Sequence, residues 1–151
     1  LDTSGNINDP IAQSDSDSDA SFTASTTSGT WETVCSVTVD VAGACVLTFE
    51  GNLNWNEVVS AGSTQGTLQY RLRRDSTVIK GPIISENLTA TTAPSTWDRN
   101  FPFDSSYTDI PSSGTYTYTL QMQHVETATG TRSGKTVTGE NMELAAVSFS
   151  R

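Results

Sequence analysis

The chain has 151 residues, a length that suits one core and leaves little room for a second. Charged residues make up only 17% of it and the formal net charge is −9, so the basic footprint that displaces counterions from nucleic acid is missing. There is no apolar run long enough to span a bilayer, and the first residues carry neither the basic nor the apolar region of a signal peptide, so no membrane insertion is expected.

Residues 1–30 hold Asp2, Asp9, Asp15, Asp17 and Asp19 and no Lys or Arg. The run SDSDSDASFTASTTSGT offers only Phe22 as a large apolar group, too little surface to fold alone. It reads as an extended acidic arm that orders by lying along another subunit or a neighbouring protein. Asp15, Asp17 and Asp19 imitate the start of a calcium loop. However, Ala20 occupies the position that needs Gly, and Thr26 stands where the bidentate Glu belongs.

From Trp31 the pattern becomes that of half-buried strands. In TVCSVTVDVAGACVLTFEG, Cys35, Val37 and Val39 alternate with Ser36, Thr38 and Asp40, and Cys45, Leu47 and Phe49 follow at the same period. A three-residue loop at Val41, Ala42 and Gly43 predicts a hairpin in which Val39 faces Cys45 and Cys35 faces Phe49. That register separates Cys35 from Cys45 by roughly 13 Å, beyond disulfide reach, so both read as small buried hydrophobes.

TLQYRLRRDSTVIKGPII predicts a second hairpin. Leu68, Tyr70 and Leu72 point inward, Gln69, Arg71 and Arg73 outward, and Asp75-Ser76 turns the chain. Between Glu86 and Asp109, Pro94 and Pro102 interrupt an aromatic and polar segment that reads as a long loop, and Asn87-Leu88-Thr89 within it matches a glycosylation acceptor. Exposed rings in loops or at strand ends would stack on a sugar while polar neighbours bond its hydroxyls, which nominates Trp55, Trp97, Phe101 and Tyr107, with Arg99, for contact with a cell-surface glycan; packing in the core or at a subunit interface is the alternative for each ring.

Pro111 to Gly114 turns into a long strand that places Tyr116, Tyr118, Leu120, Met122 and His124 on one side, a face for the core or for a trimer axis. The closing strand buries either Met142, Leu144 and Ala146 or the alternate set Glu143, Ala145, Val147 and Phe149. Catalytic chemistry has little to stand on. The sole histidine, His124, ends an apolar strand face and reads as structural, and Asp98, Asp104 and Asp109 are ordinary loop acids as much as a hydrolytic pair. Neither a zinc spacing nor a phosphate-cradling glycine loop is present, so no metal, no cofactor and no enzymatic activity are expected.

The ordered set WETVCSVTVDVAGACVLTFEGNL, YRLRRDSTVI, YTDIPSSGTYTYTLQMQ and MELAAVSFSR resembles the carboxyl-terminal jelly-roll domains of bacteriophage tail-fibre, virion fibre and decoration proteins. The resemblance spans Trp31 to Arg151. It implies an all-β antiparallel sandwich of jelly-roll type and a homotrimer located on the virion. It also implies that the arm, with Asp15, Asp17, Asp19 and Phe22, docks on other virion proteins. Residues 1–30 carry neither heptads nor a Gly-X-Y repeat, so the trimeric shaft of many fibres is absent from this stretch. Besides the fibre, a capsid or tail decoration protein and a secreted carbohydrate-binding module fit the same residues.

Overall fold

The computed structural model describes the backbone of residues 11–23, 29–92, 95–126 and 131–149, and side chains from residue 29 to residue 149 except at 63–64, 88–95, 97, 101 and 127–135. Eight strands follow one another: β1 (Ile11–Thr23), β2 (Glu32–Val41), β3 (Ala44–Ala61), β4 (Ser63–Arg74), β5 (Thr77–Thr92), β6 (Ser95–Asp109), β7 (Gly114–Glu126) and β8 (Thr131–Phe149). They form two antiparallel four-stranded sheets, ordered β1-β8-β3-β6 and β2-β7-β4-β5.

The pairing obeys one rule. β1 lies on β8, β2 on β7, β3 on β6 and β4 on β5, so the first half of the chain is folded back on the second as one long hairpin and rolled into a sandwich. This is a jelly-roll arrangement. Its innermost turn is the two-residue Asp75-Ser76 loop, with Asp75 at φ 49° and Arg74 paired to Thr77.

Period-two alternation fills the core from both sheets. Leu47, Phe49, Leu53 and Trp55 of β3 meet Leu68 and Leu72 of β4 and Tyr118, Leu120 and Met122 of β7, all at most 1% exposed. Each such side chain contributes roughly 1.5–3 kcal/mol on burial. On the closing strand the buried set is Met142, Leu144 and Ala146. In β2 a bulge between Thr33 and Cys35 buries Val34 and Cys35 in succession. It shifts the outward set from Thr33 to Ser36, Thr38 and Asp40.

Three sequence expectations change. β2 and β3 do not form a hairpin, because the Ala42-Gly43 link crosses from one sheet to the other: β2 pairs with β7, and β3 pairs with β6 and β8. Alternation reports which side of a strand is apolar, and in a sandwich both sheets turn that side to the same core. Cys35 and Cys45 are buried and free, but the hairpin spacing used to separate them does not exist.

The expected loop from Glu86 to Asp109 is mostly strand. Pro102 does not interrupt β6, since β6 is an edge strand and an edge position needs no inward N–H, and Pro94 lies outside the described residues. Finally, Ile11–Thr23 in the expected arm is paired along β8 of the same chain and needs no neighbour for its ladder. Backbone hydrogen bonds set that pairing, and they are indifferent to a shortage of apolar side chains.

Candidate functional site

The residues singled out for receptor contact lie on β3 and β6. Trp55 is 0% exposed, packed edge-on against His124 with ring centroids 5.0 Å apart and donating its Nε1–H to Glu57 Oε2 at 3.2 Å. A ring with no exposed face cannot stack on a sugar, and Trp55 is withdrawn as a contact residue. Tyr107 is half-buried beside the core, with Lys80 Nζ 5.6 Å from its ring centre, whereas Arg99 is exposed on β6 opposite Trp55. The side chains of Trp97, Phe101, Asp15, Asp17, Asp19 and Phe22 lie outside the described ones.

The face carried by β7 turns inward. Tyr118, Leu120, Met122 and His124 are buried in the sandwich, and Tyr116 is partly buried against them. His124 Nδ1 lies 3.3 Å from Glu126 Oε1. Among the described residues no group of three or more His, Cys, Asp or Glu is arranged to hold a metal ion, and no helix is long and apolar enough to cross a membrane.

Two internal polar clusters tie the sheets together. Asp109 of β6 is 7% exposed and accepts from Tyr118 Oη at 2.9 Å and Arg74 Nη1 at 2.7 Å, both from the opposite sheet. Burial, and then the bond to Asp109, holds the Tyr118 phenol well above its ordinary pKa. Burial also pushes the adjoining Cys45 thiol up to about 11. Burial alone would lower Arg74, but the contact with Asp109 overrides it and raises the guanidinium. At the open edge, Lys80 of β5 donates to Ser105 Oγ (3.3 Å) and the Ser106 carbonyl (2.9 Å) of β6, above the Phe49, Tyr70 and Phe103 ring cluster.

The two outward faces differ in chemistry. On the β1-β8-β3-β6 sheet one rung places Asp104, Glu50 and Glu143 side by side on β6, β3 and β8. They border two adjoining depressions, each about 470 Å³. Like charges directly opposite one another are destabilising, so this face is kept acidic at a cost.

The other sheet presents a laterally bonded platform of hydroxyls and amides. Ser36 and Thr119 pair at 3.3 Å, Thr38 and Thr117 at 2.9 Å, and Gln123 donates to Gln69 at 2.8 Å. Across the same face Gln121 donates to Thr33 at 3.3 Å and accepts from Arg71 Nε at 2.8 Å. The Arg71 guanidinium lies 4.2 Å above the centre of the half-buried Trp31 ring, and Arg73 stands two residues further on. Burial, with the charge of Arg73 beside it, lowers Arg71 from its ordinary pKa.

This platform is the candidate site, and sequence reasoning nominated none of its members. The signal was present: Gln69, Arg71 and Arg73 alternate outward in an acidic chain, and Trp31 directly precedes the β2 run. What no local pattern supplies is the neighbour relation that brings β2, β7 and β4 together.

No family model matches the chain, and no curated relative does. Solved structures do. The VP2 subviral particle of infectious bursal disease virus superposes with a TM-score of 0.51 at 15% identity, over 91% of this chain and 33% of that one. T=1 particles derived from the same virus give 0.47 at 16% identity, over 91% and 32%. The chain thus spans about a third of the length of the chains it matches. At this identity the likeness is one of fold, a jelly-roll-like sandwich.

Proposed function

We propose that this chain is a non-enzymatic structural protein displayed on the surface of a virus particle. In this reading it assembles as a homotrimer, docks on other virion proteins through the acidic segment that includes Asp15, Asp17, Asp19 and Phe22, and turns the platform of its second sheet toward the host. The observation that carries the proposal is the jelly-roll strand order, each strand of the first half laid on its mirror partner in the second, in a chain that superposes on a viral particle protein with a TM-score of 0.51 at 15% identity.

Self-association is supported by the edge strand β5, where Ile84 is 52% and Val78 42% exposed, apolar surface that a second copy would cover. A bacteriophage fibre or spike is the narrower form of the reading. A capsid or decoration subunit is the second form, favoured by the likeness to shell proteins. A secreted carbohydrate-binding module would need neither docking nor trimer.

Light scattering on the purified chain at micromolar concentration tests the assembly. A mass of three times the 16.1 kDa chain is expected, and Ile84→Asp should reduce it toward one copy. A wild-type chain that stays monomeric throughout overturns the trimer and brings the secreted module forward.

A further inference from the structure

We infer that the outward face of β4 between Trp31 and Arg73 binds an acidic saccharide, one sugar unit bearing a carboxylate or sulfate with neutral sugars attached. Positive charge is scarce in this chain, yet Arg71, Arg73, Arg74 and Lys80 fall within ten residues of one hairpin. Two of the four are used internally, Arg74 on Asp109 and Lys80 on Ser105 and Ser106. The other two face outward, roughly 7 Å apart along the strand. Among the described residues neither Arg71 nor Arg73 forms an ion pair with a carboxylate.

Arg71 is held before any ligand arrives. Its Nε is committed to Gln121, its plane rests on Trp31, and Gln121 is itself braced by Thr33. The remaining guanidinium edge has the two-pronged geometry that matches a carboxylate or sulfate, and fixing it in advance removes much of the ordering cost of binding. An anion between Arg71 and Arg73 would also relieve the repulsion of two like charges on one strand face.

The surroundings select a sugar as the carrier of that anion. Beside the arginines Gln69, Thr119 and Ser36 offer an amide and two hydroxyls suited to ring hydroxyls, with the buried Gln123 bracing Gln69, while Val78 and Ile84 of β5 line the other side. A polyanion such as nucleic acid would extend past two cations onto a molecule of net charge −9 and be repelled. The inference extends the host-facing role proposed above but does not require a trimer, so light scattering on the same samples separates failure of one from failure of the other.

The test is a titration of isotope-labelled full-length chain, followed through the Trp31 indole and Arg71 Nε–H resonances. Probes are sialyllactose, a chondroitin sulfate disaccharide, lactose and sodium sulfate, each to on the order of 10 mM. Saturable shifts with at least one acidic saccharide, and at least tenfold weaker binding of lactose and sulfate, are expected. Arg73→Gln should weaken that binding about tenfold with an unchanged unfolding midpoint, since Arg73 holds no internal ion pair, and Arg71→Gln should weaken it at least as much.

Absence of shifts with both acidic saccharides, equal binding of lactose or of free sulfate, or shifts confined to another face would each overturn the inference. So would preferential binding of a long heparin fragment at these residues, which would make the face a polyanion site.

Discussion

Asp109 joins the two sheets near the Ala42-Gly43 crossover, and its removal gives a quantitative test of how the sandwich is closed. In Asp109→Ala the buried Tyr118 hydroxyl, in a residue 0% exposed, loses its acceptor, which costs about 1–3 kcal/mol. Arg74 also loses its partner, but its side chain is 25% exposed and regains water, so that share is at most about 1 kcal/mol. The expected destabilisation is therefore roughly 1–4 kcal/mol.

Tyr118→Phe keeps the ring and removes the hydroxyl, for an expected loss of about 1 kcal/mol. Because Asp109→Ala does most of its damage through that same hydroxyl, the double variant should be about 1–2 kcal/mol less damaged than the sum of the singles. Urea unfolding of the four proteins, followed by tryptophan fluorescence and circular dichroism, measures the cycle. An Asp109→Ala loss below about 0.5 kcal/mol, or additive singles, would refute the reasoning that this bond pins β6 to β7.

Other outcomes follow from the same packing. The Cys45 thiol has its pKa raised to about 11 in the folded chain, so its neutral form contributes stability in full below about pH 9. That contribution, roughly 2–3 kcal/mol, is lost as pH rises toward 11, and Cys45→Ala should flatten the pH dependence of the urea midpoint over that interval. Glu50→Gln should raise the thermal midpoint by relieving Asp104 and Glu143, a gain of at most about 1 kcal/mol that fades near ~1 M salt; an unchanged midpoint at low salt would mean the rung carries no repulsion. Gly66→Ala would set a Cβ 2.9 Å from His124 Nε2 and 3.2 Å from the Trp55 ring, both fully buried, so a loss of about 1–3 kcal/mol should appear in calorimetry.

Much of the local structure was legible in the amino-acid order. Inward Leu68, Tyr70 and Leu72, inward Tyr118, Leu120 and Met122, and the Asp75-Ser76 turn all follow from alternation and turn chemistry, which act between near neighbours. Even the misread Glu86 to Asp109 segment held its signal, since Trp97, Phe101, Phe103 and Tyr107 are spaced by even numbers; the two prolines hid it.

The candidate site was less legible. Trp55 and Trp31 are the same residue type, yet one is sealed beside Glu57 and His124 while the other supports Arg71 on the surface. A residue's sidedness along its own strand is a property of the sequence. Which strand lies beside it is decided by hydrogen-bonded partners as distant as Ile11 and Phe149, and only their pairing places Asp109 under Tyr118 and Arg71 between Trp31 and Gln121. The sequence by itself thus determined an antiparallel sandwich with a known inside and outside. The tertiary structure decided sheet membership, the fate of each aromatic ring and the existence of the platform, because alternation is local chemistry and adjacency is the result of folding the whole chain back on itself.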